Sequence, residues 1–211
     1  YPKSKRNLDE REQKKTEEII ATAKKFSKEY FDGDRIYGYG GYSYNPRFWT
    51  GAVRDMIEYY ELNKNSKILD IGCAKGFMVY DLTRAVPGIK IKGIDISEYA
   101  INHGEVPAEV KPYIGVGNAN DLSMFRDKEF DLVTSINTLH NLQLEECKHS
   151  LKEIQRIGKN AFIVVEGWRN PEEEVRLRRW AKTAHTMMHL DDWKNLFDEA
   201  GYKGDYYWFF P

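Results

Sequence analysis

Apolar residues recur along this chain at two spacings, and the change from one to the other divides it. Across residues 8–31 Glu and Lys dominate. Ile19, Ala23, Phe26 and Tyr30 recur there at offsets of four, three and four, which places them on one stripe and predicts a helix. The turn residues Phe31-Asp32-Gly33-Asp34 end it. Ala52, Val53, Met56, Ile57 and Tyr60 predict a second helix. Between the two lies Tyr-Gly-Tyr-Gly-Gly-Tyr-Ser-Tyr-Asn-Pro-Arg-Phe-Trp, residues 37–49, whose glycines and proline exclude a long regular element.

After Asn63-Lys64-Asn65-Ser66 short apolar runs alternate with helical segments. The strands predicted are 67–71, 89–94, 113–116, 130–136 and 161–166, with helices near 76–86, 97–104 and 145–157. Cys147, Leu151 and Ile154 share one face of the last helix. Strands alternating with helices imply right-handed crossovers and a three-layer α/β domain with a mostly parallel sheet. Residues 171–184 read as a charged helix whose acidic start and basic end suit its dipole. Asp191-Asp192 opens a helix carrying Trp193, Leu196, Phe197 and Ala200, Gly201 stops it, and 202–210 is a final aromatic strand.

Composition narrows the classes. At 211 residues the chain suits one domain with decorations. A formal charge of −1 gives no field to gather nucleic-acid backbone, so no nucleic-acid partner is expected. No apolar run approaches the roughly 20 residues of a membrane span, and the basic start lacks the apolar core of a secretory signal. Cys73 and Cys147 lie in no zinc-type spacing and read as reduced thiols of a cytoplasmic protein. His185 and His189, four apart, would share a helix face, but they lack an adjacent Glu or a third ligand, so no metal site is expected.

Candidate chemistry concentrates in Lys67-Ile68-Leu69-Asp70-Ile71-Gly72-Cys73-Ala74-Lys75-Gly76-Phe77, a strand running into a glycine turn and then a helix. In a parallel sheet that turn lies at the carboxyl edge, where ligands bind. Gly72 allows the tight turn and Gly76 the close approach of the helix. Asp95, in Ile94-Asp95-Ile96, sits at the end of the second strand, where a carboxylate can accept from both hydroxyls of a ribose. The nicotinamide fingerprint is Gly-x-Gly-x-x-Gly, but Asp70 holds the place of its first glycine, which disfavours a dehydrogenase.

The pattern Asp-x-Gly-x-x-x-Gly instead resembles the first motif of class I S-adenosylmethionine (AdoMet)-dependent methyltransferases. The resemblance continues in order over roughly residues 50–205. Asp95 matches the ribose-binding acid, and Gly117-Asn118-Ala119 stands where Gly-Asp-Ala is usual beside the adenine. Phe130-Asp131-Leu132-Val133 through Ile136-Asn137-Thr138-Leu139-His140 resembles the fourth strand and its loop, and Trp193 to Tyr202 the late helix and turn. It implies a Rossmann-like fold with a helical cap and Tyr-rich lid over 1–62 and an AdoMet-binding core over 63–211. The cofactor residues implied are Asp70, Gly72, Cys73, Ala74, Gly76, Asp95, Ile96, Asn118, Ala119, Ile136 and Asn137. Asp70 suits the ammonium of the cofactor's amino-acid end. The sequence departs from the family at Ala74, where glycine is common, and at Asn118, whose amide oxygen accepts from adenine without charge. It also shows one terminal strand where the family closes with an antiparallel pair.

Methyl transfer needs an aligned nucleophile and a base if that nucleophile carries a proton. His140 after the fourth strand and Glu166 at the end of the fifth are the candidate catalytic residues, with helix start and loop orientation as their bland alternatives. Tyr42, Tyr44, Arg47, Trp168 and Arg169 are candidate acceptor contacts, and Arg47, Arg169 or Lys75 could hold an anionic acceptor. The tyrosine segment reads as a lid or as an aromatic plug over the sheet. The expected activity is methylation of a small polar metabolite: a sugar, a nucleotide-sugar or a phosphorylated intermediate. The cap resembles those of bacterial small-molecule methyltransferases, some of them associated with surface polysaccharide. The alternatives are a macromolecular acceptor and a non-catalytic AdoMet-binding module. A monomer and a homodimer both stay open.

Overall fold

The computed structural model describes residues 12, 15–103 and 107–210. Two short helices, α1 (Glu17–Ala23) and α2 (Lys28–Phe31), precede the longer α3 (Pro46–Tyr59). The core then alternates β1 (Lys67–Ile71), α4 (Phe77–Ala85), β2 (Lys90–Asp95), α5 (Glu98–Asn102), β3 (Ile114–Val116), β4 (Phe130–Ile136), α6 (Leu144–Ile157) and β5 (Gly158–Trp168). The chain ends with α7 (Pro171–Trp180), β6 (Met188–His189), α8 (Leu190–Ala200) and β7 (Asp205–Phe209).

The seven strands form one sheet in the order β3-β2-β1-β4-β5-β6, with β7 also paired to β5. Side-chain alternation splits the core into two layers. Leu69, Ile71, Val133, Ile163 and Val165 face α6 and α8 through Leu151, Ile154, Trp193 and Phe197. Ile68, Leu132 and Ile91 face α3, α4 and α5 through Met56, Val79, Leu82 and Ile101. β1 pairs with β2 and β4, so the order reverses beside it and the carboxyl ends of β1, β2 and β4 converge. That is the switch point where an open α/β sheet receives ligand. Local chemistry sets the helix ends. The side chain of Asn45 accepts from Arg47 N–H (3.0 Å) at the start of α3, Asn170 caps α7, and Gly201 at φ +66° ends α8.

The structure corrects the sequence expectations in five places. The first helix is interrupted by a turn in which Phe26 adopts φ +48°, so the expected single stripe becomes α1 and α2. Residues 8–11, 13 and 14 of that expected helix, and 104 of the one expected near 97–104, lie outside the described residues. Pro46 is the first residue of α3, so 46–49 belong to the helix and not to the loop before it. The charged helix stops at Trp180, because Ala181 is extended. His185 lies in irregular chain and His189 in β6, so they share no helix face. Among the described residues every ladder is parallel. β7 runs parallel to β5 in a register from Phe162↔Asp205 to Glu166↔Phe209, in place of an antiparallel pair.

Leu151 is fully buried between α6 and the sheet. Leu151→Ala should lower stability by about 2–5 kcal/mol, a large share of the 5–15 typical of a domain. The denaturant midpoint measures it, and a loss under about 1 kcal/mol would mean that this layer is loosely packed.

Candidate active site

The glycine turn after β1 alternates left-handed residues, with Gly72 at φ +77°, Ala74 at +49° and Gly76 at +72°. A side chain at Gly72 would place Cβ 1.9 Å from Thr138 Oγ1, so this glycine lets the loop after β4 close onto the turn. At Gly76 a Cβ would strike Val110 at 2.5 Å, so this glycine lets the chain before β3 pack onto the start of α4. Gly72 and Cys73 both donate to Ile94 O (2.7 and 3.0 Å), tying the turn to the end of β2.

Asp95 ends β2 and is buried. One oxygen accepts from Ala74 N–H and the other from Ser97 N–H, each at 2.8 Å. Each carboxylate oxygen keeps a lone pair for a further donor, which is what a pair of ribose hydroxyls requires. Ile96 and Val116, beside Asp95 and at the end of β3, are 58% and 52% exposed, apolar surface of the kind a purine covers. Asn118 Oδ1 already accepts from Asn120 N–H (2.9 Å). Its second lone pair or its amide N–H is therefore what remains for a base. Asn137, at φ +54°, has a buried Oδ1 without a partner, and Ser135 Oγ is likewise unpaired. Unpaired buried polar atoms at a sheet's ligand edge call for a ligand or water.

Asp70 is buried and accepts from Thr134 Oγ1 (2.9 Å). Burial above all, with the nearby Asp95 charge adding to it, pushes its carboxyl up to about 7 against the hydrogen bond from Thr134. Burial likewise raises the Asp95 carboxyl, opposed by its two backbone donors. A cation beside this pair would favour both ionised forms. The residues present therefore fit AdoMet: Asp95 for the ribose, Ile96 and Val116 for the purine faces, Asp70 for the ammonium.

On the acceptor side the structure brings the two catalytic candidates together. His140 and Glu166 are both buried, with Nε2 3.9 Å from Oε2. Burial lowers the pKa of His140, opposed by the Glu166 charge, and His140 Nδ1 has no partner. The chain after α7 folds over this loop: His185 N–H and Thr186 N–H both donate to His140 O (2.9 Å). Trp168 instead packs with Leu177 and Ala181 under the Arg178 guanidinium, 5.3 Å from its ring centroid. Arg169, just ahead of α7, is engaged by Glu173 of that helix's first turn and lies over Phe210.

The tyrosine segment is seated on the start of α4. Tyr42 and Tyr44 pack on Phe77 at 4.9 and 5.8 Å between ring centroids, and Tyr44 donates to Asp81, which also accepts from Thr50 (2.9 Å). Arg47 lies exposed in the first turn of α3. Lys75, read from sequence as an anion clamp, is 1% exposed and holds both oxygens of Asp32 (2.8 and 2.7 Å) and Tyr42 O (2.7 Å). Sequence reasoning passed over Asp32, taken as a turn residue, and Thr134, Thr138 and Tyr99. None carries a local signal, because each is defined by what it meets across the fold.

A glycine turn at the switch point of a parallel sheet and a carboxylate one strand away are shared with dinucleotide-binding folds, and Asp70 in place of their first glycine makes the arrangement that of a class I AdoMet-dependent methyltransferase. Residues 62–209 match the family described as a methyltransferase domain, and the chain belongs to that family. Solved structures share the fold. A SAM-dependent methyltransferase from Archaeoglobus fulgidus is 22% identical over 81% of this chain and 72% of its own, with a TM-score of 0.57. The YcgJ protein from Bacillus subtilis is 20% identical over 71% of this chain and 67% of its own, TM-score 0.57. Geranyl diphosphate C-methyltransferase from Streptomyces coelicolor A3(2) is 13% identical over 72% of this chain, TM-score 0.57, and this chain spans 60% of it.

Two predictions concern the cofactor. Asp95→Ala removes the acceptor of two backbone N–H groups and the carboxylate expected to meet the ribose, and should weaken AdoMet binding by about ten- to a hundredfold or more. Gly72→Val should be worse, since it meets Thr138 and a strained φ. Calorimetric dissociation constants within twofold of wild type would remove Asp95 from the site. The second concerns pH. Free Asp70 keeps its proton to about pH 7, whereas an unfolded aspartate loses it near the ordinary 3.8. The ligand-free fold therefore binds the extra proton, and its stability should fall as pH climbs through that window. AdoMet affinity should rise over the same climb, because the ammonium favours ionised Asp70. Asp70→Asn should flatten both profiles, and an affinity constant between about pH 5.5 and pH 8 in the wild type would exclude the contact.

Proposed function

We propose that this methyltransferase acts on a hydroxyl or amine of a small polar acceptor, a sugar or nucleotide-sugar being the class favoured, with His140 as proton acceptor. The observation that carries this reading is the buried His140–Glu166 pair at the carboxyl edge. Glu166 facing Nε2 favours the tautomer with its proton there, which leaves the lone pair on the unpartnered Nδ1. Burial keeps the free imidazole neutral at pH 7 and so able to accept a proton, and the Glu166 carboxylate stabilises the imidazolium that results.

When bound, AdoMet supplies a methyl group on a sulfonium centre. The chain aligns the acceptor oxygen or nitrogen for in-line attack, excludes water, and passes the displaced proton to His140. The commitments of two cations support the same reading. Lys75, buried and held by Asp32, is not offered to an anionic nucleophile, and Arg169 is engaged by Glu173 on the surface. The tyrosine segment and the chain from 181 to 187 would form the walls around a small acceptor. Its fold neighbour from Streptomyces is a C-methyltransferase of geranyl diphosphate, which is the same architecture serving a small molecule.

The test follows S-adenosylhomocysteine production with a panel of sugars, nucleotide-sugars and amines. With an active acceptor, His140→Ala should lower turnover roughly 100- to 10,000-fold while AdoMet binding holds, and Glu166→Gln should lower it less. Arg169→Ala should change it only a few-fold. Collapse of the arginine variant alone, with acceptor binding lost, would overturn the base assignment in favour of an anionic acceptor.

A further inference from the structure

Lys75 poses the sharpest electrostatic question in the molecule. It sits inside the cofactor turn, between Ala74 and Gly76, with an ammonium that is almost wholly buried. Such an ion is tolerated only when it is paired and its three N–H donors are satisfied. The partners at bonding distance are Asp32 Oδ1, Asp32 Oδ2 and Tyr42 O, and all belong to the chain ahead of the family-matched segment 62–209. Asp32 also accepts from Tyr42 N–H (3.1 Å) and from the Tyr99 hydroxyl (2.8 Å). Burial opposes its ionisation, but these donors hold the Asp32 carboxyl below the ordinary range.

The two ends of this network coincide with those of another. Asp95 joins Ala74 N–H to Ser97 N–H, and Asp32 joins Lys75, the next residue, to Tyr99, two residues on. Two carboxylates thus bridge the same two segments, the turn after β1 and the start of α5, which form the walls of the ribose site. Asp95 comes from the sheet and Asp32 from the cap. Ser97 Oγ adds a third tie, donating to Phe26 O (2.5 Å).

We infer that Asp32 is a positioning residue for cofactor binding: through Lys75 and Tyr99 it fixes the separation of the two walls, so the cap completes the AdoMet site without touching the cofactor. The inference rests on the cofactor assignment and is independent of the acceptor and its base.

Dissociation constants for AdoMet are measured by calorimetry, below the melting temperature, on the full chain and on Asp32→Asn, Tyr99→Phe and Asp95→Ala. Amide exchange over 72–76 and 97–100 is followed in the free proteins. Asp32→Asn should bind AdoMet about tenfold or more weakly while folded, and Tyr99→Phe a few-fold more weakly. Exchange in both segments should quicken in each variant. Asp32→Glu, which keeps the charge, should recover part of the affinity. A lower melting temperature with an unchanged dissociation constant would make Asp32 merely structural and overturn the inference. If Asp32→Asn fails to fold, Tyr99→Phe decides, since it deletes one hydroxyl and no charge: unchanged affinity and exchange there would overturn it equally. If Asp95→Ala also binds normally, the cofactor assignment itself fails, and that outcome is separate from failure at Asp32 alone.

Discussion

A buried ammonium ion constrains the architecture of the whole ligand edge. Transferring an unpaired Lys side chain from water into a protein interior costs several kcal/mol, so the position of Lys75 dictates where its counter-charge must lie. The glycine turn cannot adopt its observed path with Lys75 pointing inward unless Asp32 is delivered to it. Asp32 in turn is delivered only if the chain between α2 and α3 lies across the turn. The mutual packing of Phe31, Tyr39 and Tyr42, and of Tyr42 against Phe77, follows from that placement. Lys182, which donates to Ile36 O, ties the same cap segment to the chain after α7. The cap is therefore held to the chain after β1, after β2 and after α7 by charge and hydrogen bonding, while its rings fill the space between.

Burial governs the ionisable groups beneath the cap. Asp70 is pushed toward its neutral form, His140 is kept neutral, and Lys75 is neutralised by its partner. A low-dielectric site of this kind strengthens each polar contact that a ligand completes. It suits a cationic cofactor. A sulfonium with an ammonium restores the ionised form of carboxylates that burial has made reluctant, and the cost of drying the site is met when those contacts form. The unpaired atoms of Ser135, Asn137, His140 and Asn141 lie along the same strand end and the turn after it.

Most of the fold, and the meeting of Asp70, Gly72, Gly76 and Asp95 at the ligand edge of the sheet, were legible in the sequence. Strand and helix periods depend on neighbours two to four residues apart, and a motif such as Asp70 to Gly76 is local by nature. That is why five strands, the crossover helices and the residues Asp70, Gly72, Gly76 and Asp95 could be located from the sequence alone. The approach of His140 to Glu166 could be anticipated only as far as one follows β4 and the other lies near the end of β5, at one edge. Tertiary structure decided the rest. A helical stripe says nothing about the turn at Phe26, because the chain breaks there to reach Ser97 across the fold. Arg169 and Lys75 looked alike as cations available to a ligand, yet one meets Glu173 on the surface and the other Asp32 in the interior. A side chain's charge is a property of the sequence, but its availability depends on which opposite charge the fold brings within about 3 Å, over separations of tens of residues that no local pattern encodes.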